Sequence, residues 1–347
     1  MTTLYEMLLP HVQAINEEGG NWSSFLMSRP VLDAIEAGAV SDPDLALIRR
    51  KILEKLAAYK GVRHHAGFNQ IFEAYSEGVI YLAARHRGVA LTAISDGASK
   101  GKTPDFATKG AEPIGLEVKT INVLDPERTI DAAMEQGFEA GYAALEASRA
   151  EAAEKGVGVG FGIAEFAPHG DGANGKEAVE QTIKKIRSNV KAGQYAARPT
   201  FLVVSLARLG VRQHAAQLRR RLDIDEDCGV APSGHLFAIA AAKLGDDYAD
   251  YGHGWFGVRD TGPLTQAGIL QDHDEIAGLV FLETEWSQTD KPDAIATGFR
   301  FNGVWNIGWN PAPFSAAEQA EARRVFEALC DTWTDTDDSR AHLIPGR

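Results

Sequence analysis

The residues best suited by type and spacing to do chemistry are Asp105, Glu117 and Lys119. In the run Ile114-Gly115-Leu116-Glu117-Val118-Lys119-Thr120, the two-residue period of a β-strand puts Ile114, Leu116 and Val118 on one face. Glu117 and Lys119 share the other. Asp105 lies twelve residues before Glu117. If the two segments pair as a hairpin, the pair is symmetric about residue 111, and Gly110-Ala111-Glu112 ahead of Pro113 supplies the turn. Two carboxylates converging beside an ammonium suit a hard divalent cation that prefers oxygen ligands and keeps part of its water shell, which describes Mg²⁺, with Mn²⁺ an expected substitute. Such a group can orient and activate a water. It can also neutralise the negative charge that builds up when a phosphodiester is attacked.

These residues need elements to position them, and the hydrophobic pattern supplies candidates. Leu45, Ile48, Ile52, Leu53 and Leu56 mark a helix within the first sixty or so residues, flanked by Arg49, Arg50, Lys51, Lys55 and Lys60. A second helix is expected over residues 69–86, where Ile71, Phe72, Tyr75, Val79, Leu82 and Ala83 recur at helical steps before Gly88. It carries Glu73 and Glu77 one turn apart. Strands are expected at 89–94 and 114–121, then a helix at 127–155, a strand at 157–166, a helix at 176–195 and a strand at 201–206. Further strands are expected at 235–240, 276–282 and 298–307, a helix at 315–330, and a mobile acidic tail from 331. This α/β alternation predicts a mixed sheet covered by helices. The expected organisation is a helical N-terminal region (1–65), a core (66–210), a C-terminal α/β extension of the same domain (211–330) and the tail (331–347).

Pro104-Asp105 followed by Glu117-Val118-Lys119 resembles the PD-(D/E)XK signature of restriction-endonuclease-like nucleases, and the resemblance extends over residues 69–206. It implies a restriction-endonuclease-like α/β fold: a mixed sheet flanked by helices, with a helical N-terminal addition and a β-containing C-terminal extension. It implies that Asp105 and Glu117 bind Mg²⁺, that Lys119 assists the attacking water, and that Glu73 or Glu77 on the upstream helix adds a metal contact. It also implies a Mg²⁺-dependent endonuclease acting on DNA in restriction, repair or phage defence. Gln194 resembles the downstream glutamine of some of these families, although Tyr195 follows it directly, unlike the Gln-x-x-x-Tyr form of RecB-like exonucleases. The alternative is a non-catalytic nucleic-acid-binding subunit on the same fold.

Charge distribution points to the same substrate independently. The net charge is −13, from 35 Lys and Arg against 48 Asp and Glu, which argues against indiscriminate coating of nucleic acid. Yet from Lys184 to Arg221 there are ten basic residues and no acidic one, and subtracting those ten charges leaves −23 for the rest. Over residues 181–195 the expected helix places Lys184, Arg187, Lys191 and Gln194 on one face beside an apolar stripe of Ile183, Ile186 and Val190, a pattern suited to phosphate contacts on double-stranded DNA. Cutting both strands with one site per chain makes a homodimer an expectation. The start of the chain lacks a signal-peptide pattern and no run approaches eighteen apolar residues, so a cytoplasmic protein without membrane contact is expected. Cys228 and Cys330 lack metal-site or disulfide spacing and read as plain thiols. The loop Asp272-His273-Asp274, the pair His64-His65, the glycine-rich stretch at 170–176 and Trp286, Trp305 and Trp309 read as structural.

Overall fold

The computed structural model describes residues 2–17, 27–61, 64–94, 103–121, 130–156, 175–207, 235–250, 260–285, 288–337 and 342–343. In chain order the elements are α1 (Leu4–Glu17), α2 (Arg29–Gly38), α3 (Pro43–Ala58), α4 (His65–His86), β1 (Leu91–Ala93), β2 (Phe106–Thr108) and β3 (Gly115–Thr120). There follow α5 (Ile130–Glu154), α6 (Gly175–Asn189), β4 (Thr200–Ser205), α7 (His235–Ala241), β5 (Asp247–Asp250), β6 (Asp260–Pro263) and α8 (Ile269–Asp272). The last are β7 (Gly278–Thr284), α9 (Ala294–Thr297), β8 (Phe299–Trp305), α10 (Ala316–Leu329), β9 (Thr332–Asp335) and β10 (His342–Leu343).

Eight strands form one mixed sheet in the order β1-β2-β3-β4-β7-β8-β9-β10. β3, β4 and β7 run parallel, as do β8 and β9, and the other neighbours are antiparallel. β5 and β6 pair as a separate hairpin. The central strands β4 and β7 are buried along their whole length, which is why both read as unbroken apolar runs rather than as alternation. Val203 and Phe201 face one apolar layer, with α4 and α10, while Leu202 and Val204 face the other, with α6, α7 and α8. Helices therefore cover both faces of the sheet.

Asp42 ties α3 to α4, accepting from Tyr81 Oη at 2.9 Å, and Asp44 ties α3 to the sheet edge. Asp42 caps α3 by accepting from the Asp44 and Leu45 backbone amides. Asp44, nearly buried, accepts from Ala93 N at 2.9 Å and from Lys109 Nζ at 3.1 Å, bridging α3 to β1 and the β2–β3 connection. On the far side Ser315 and Glu318 close a capping box at the start of α10, and Arg87 joins α4 to the β8–β9 region through Asp331, 2.7 Å away.

Three expectations are corrected. Residues 235–240 are helical, in α7, rather than a strand. Their apolar run lacks a polar residue that would mark either period, and Leu236 to Ala241 are all buried. Residues 331–335 are not a mobile tail: Trp333 and Thr334 are buried in β9, the parallel strand that returns from β8 through α10. The acidic residues nearby outweighed the β-favouring Thr-Trp-Thr run. The basic helix ends at Asn189 rather than near 195, and a 3-10 turn, Ala192–Gln194, follows. The strand expected at 157–166, and Arg208, Arg212, Arg219, Arg220, Arg221, Cys228 and Trp286, lie outside the described residues. Among the described residues no helix is long and apolar enough to cross a membrane.

Candidate active site

The β2–β3 hairpin brings Asp105 and Glu117 together in the expected register. Phe106 pairs with Leu116 and Ala107 with Gly115, so one step further Asp105 stands opposite Glu117. β2 has ended by then, leaving the Val118 amide without a ladder acceptor, and Asp105 Oδ2 takes it at 2.7 Å. That bond fixes the aspartate beside the strand. The loop closes through Thr108 N to Ile114 O and Ile114 N to Thr108 Oγ1, both 2.9 Å. Gly115 permits the tight approach: a Cβ there would sit 2.9 Å from Pro104 Cγ and closer still to Thr200, so any side chain would push Pro104, and with it Asp105, off the strand.

Glu117 and Lys119 share the face of β3 that continues through Leu202 and Val204 into the layer covered by α6. Glu117 is only 1% exposed. Its Oε1 accepts from Lys119 Nζ, and its Oε2 is sealed from solvent without a protein partner. Burial, and next the negative charge of Asp105, raise the Glu117 carboxyl to about 7, against the pull of Lys119 and of hydrogen bonding by Gln194. A carboxylate held there by desolvation and a neighbouring carboxylate is common at sites that bind a cation or move a proton.

Gln194 belongs to this site rather than to a basic helix face. The 3-10 turn after α6 turns its side chain inward, where it is buried beside Glu117 with Oε1 unpartnered. Arg187 is also diverted: it pairs with Asp272 at 2.6 Å and donates to Gln266 Oε1 at 3.0 Å and Ala267 O at 2.8 Å. A sequence window of 38 residues free of acid could not reveal an acidic partner supplied by α8. Lys184 and Lys191 are exposed, so they alone of the expected contact set present their charge outward.

The helix carboxylates take other positions. α4 packs on the face of the sheet opposite Glu117 and Lys119, where its Ser76 meets Ser205 of β4 at 3.3 Å. Glu73 is exposed, and Glu77 accepts from Lys51 of α3 at 2.7 Å. Periodicity showed both on one helix but not which face of the sheet that helix would cover. Among the described residues no three His, Cys, Asp or Glu side chains come together as a metal cluster. The carboxylates gathered at β3 are the pair Asp105 and Glu117.

Beyond the expected set stand Tyr195, marked in the sequence only by its position directly after Gln194, and two carboxylates, Glu275 and Glu283, that no motif marks. Tyr195 is buried, and its hydroxyl has no protein partner. Glu275, in the short connection from α8 to β7, is hydrogen-bonded to His273 Nδ1 at 2.9 Å. Glu283 of β7 is buried, bonded to Asn302, and raised to about 7 by burial against the pull of Arg300 and Asn302. Asn302 in turn accepts from Thr332 Oγ1 at 2.5 Å, a polar chain across β7, β8 and β9. Trp305 and Trp309 pack with Phe326 and Phe314 in the core, as expected of structural aromatics. The chain matches no family model, no curated protein and no solved structure.

Proposed function

We propose that this protein is a Mg²⁺-dependent endonuclease with DNA as its substrate, and that Asp105, Glu117 and Lys119 form its hydrolytic centre. The observation that carries the reading is the pairing itself: two carboxylates from adjacent strands, one of them buried with an unpartnered oxygen, beside a lysine on the same face. The donor set fits a hard cation, because Mg²⁺ needs only one or two carboxylates when water and phosphate oxygens complete its shell. When bound, the cation would lower the pKa of a water and offset charge at the phosphate. Asp105 is held for this task by the Val118 amide, and Glu117 by the ammonium on Oε1, which leaves Oε2 directed to the ligand. Lys119 is placed to orient the attacking water and to stabilise negative charge as the phosphorus becomes five-coordinate. The helix, three antiparallel strands and helix leading to a parallel β4 support the restriction-endonuclease-like reading of the core, with α1–α3 and the β7–β10 half as additions.

Cleavage of plasmid DNA, duplex oligonucleotides and RNA, each with Mg²⁺ and with EDTA, tests the proposal. Metal-dependent cutting of DNA is expected. Full activity in excess EDTA would remove the metal, and tight DNA binding without any cutting would favour a non-catalytic binding subunit.

The exposed lysines yield a separable expectation. Replacing Lys184 or Lys191 by Gln should weaken binding of unrelated duplexes alike and lower the slope of log K against log salt by about 0.9 per lost phosphate contact. Arg187→Gln should leave that slope unchanged and instead cost roughly 1–3 kcal/mol of stability, because its bonds are internal. Anisotropy titrations in Ca²⁺ together with melting curves read both quantities. Equal slopes for all three variants and the wild type would show that neither α6 nor the turn after it faces the nucleic acid.

A further inference from the structure

We infer that Arg300 is the moving part of a proton switch at the end of the β7–β8 pair: it holds Glu285 while Glu283 is protonated, and turns to Glu283 when that carboxyl loses its proton. The inference uses none of the residues assigned to the cation site and stands apart from the reaction proposed for them.

Arg300 of β8 stands directly opposite Glu283 of β7. The ladder runs one step past β7, where Glu285 N donates to Gly298 O at 2.8 Å, so the two-residue period places Glu285 on the same face as Glu283. Glycine opposite Glu285 leaves that position without a side chain. Arg300 leans across it, with Nη2 3.3 Å from Glu285 Oε2. Two carboxylates thus flank one guanidinium. Directly opposite side chains lie nearer than diagonal ones, so Arg300 can reach Glu283 by a change of rotamer alone.

The two acids differ in their surroundings. The Arg300 and Glu285 side chains are 52% and 18% exposed, whereas Glu283 is 6% exposed. Glu283 Oε2 accepts from Asn302 Nδ2, and its Oε1 is sealed from solvent without a protein partner. Among the described residues β8 offers it Arg300 and Asn302, and β4 offers Leu206. α7, which packs on β8 from this side, contributes buried apolar residues, and its His235 is bonded to Tyr248 Oη. Arg300 is therefore the cation placed to answer a charge on Glu283. Burial holds the Glu283 proton up to about 7, and a neutral carboxyl leaves Arg300 at the surface with Glu285. Ionisation puts an unpaired charge against an apolar layer. That is far costlier than baring Glu285 to water, because an exposed ion pair contributes little. The guanidinium, charged throughout, then turns to Oε1.

The test follows the Glu283 carboxyl by its ¹³C resonance in the full-length protein, assigned by its loss in Glu283→Gln. The proteins compared are the wild type, Glu285→Gln, Arg300→Gln and the double variant. Glu285→Gln releases Arg300 to Glu283 and should lower the Glu283 titration midpoint by about one pH unit, and Arg300→Gln should raise it by a similar amount. The double variant separates switching from mere proximity. Loss of the Glu285 charge would also lower the midpoint through space, but that effect persists without the arginine. Acting through Arg300, Glu285→Gln should shift the midpoint little in the Arg300→Gln background. In the wild type the Arg300 Nε–H resonance should pass between two limits with the same midpoint as Glu283. An equal effect of Glu285→Gln with and without Arg300 would overturn the inference, as would an Arg300 resonance indifferent to pH from about two units below that midpoint to about two above it. Melting curves confirm that each variant is folded, and the wild-type Arg300 resonance reads the switch even where a variant is not.

Discussion

Lys119→Ala is expected to reduce cleavage about a hundredfold or more while DNA binding stays within a few fold. The ammonium is one residue pair along β3 from Glu117, on the same face, and it touches Glu117 Oε1. Its proposed work arises only as charge develops at the phosphate, so its loss should appear in turnover and not in ground-state affinity. Part of the loss has a second origin. Without its ammonium, Glu117 is a buried carboxylate opposed only by Gln194 and repelled by Asp105, so its proton is held more tightly and cation binding at neutral pH should weaken as well. Raising Mn²⁺ or the pH should recover that second part alone. Lys119→Arg should retain more activity than Lys119→Ala because it keeps a charge on Glu117, but its planar fork cannot reproduce the position of a point charge. Single-turnover rates at saturating metal, with melting curves to confirm folding, measure the effect. A wild-type rate in Lys119→Ala would end the catalytic assignment.

The pair Asp105 and Glu117 could be read from the sequence because a hairpin obeys local rules. A turn centred on residue 111 and a two-residue period together determine both partner and face, and the observed register, Phe106 with Leu116, follows. The nearly uninterrupted apolar runs of β4 and β7 were likewise readable as strands, though not their place at the centre of the sheet. What escaped depended on contacts distant in sequence. Arg187 looked free because its partner Asp272 arrives 85 residues later. Gln194 looked like the end of a basic stripe because the helical period hides the break after Asn189, where a 3-10 turn reverses the side chain toward Glu117. Glu73 and Glu77 share a helix with the right residue types, but only the packing of Ser76 on Ser205 shows that this helix covers the other face of the sheet. Glu275 has no sequence signal at all, and Tyr195 has only its position directly after Gln194. The segments that carry them precede β4 and β7, which run parallel, so both lie at the same end of the sheet.

The pH dependence of cation binding should be steep, falling about tenfold for each unit below about pH 7 and levelling off above it. The reason is a single competition: a cation at Glu117 Oε2 must displace the proton that burial and Asp105 retain there up to about 7. The same shift determines how the metal-free protein responds. Because the folded-state pKa lies above the ordinary carboxyl value of 4.5, the folded form holds this proton more tightly than the unfolded chain, so the group's favourable contribution is complete in acid and is lost as pH rises through about 7. Glu117→Gln should therefore melt higher than the wild type at pH 8 without metal, and no higher at pH 4. Glu283 sits at a similar value for a similar reason, so Glu283→Gln should show the same pattern of melting temperatures. Cation affinity separates the two: Glu283→Gln should keep the wild-type pH dependence, whereas Glu117→Gln should lose most of the affinity and all of the dependence. Calorimetric titration with Mn²⁺ at pH 6, 7 and 8 on the three proteins reads this directly. In the wild type the melting temperature gained from saturating metal should grow across the same interval, since a ligand of the folded state stabilises it in proportion to the logarithm of its occupancy ratio. An affinity independent of pH between 6 and 8 would mean that Glu117 is not a ligand, whatever activity the protein retains.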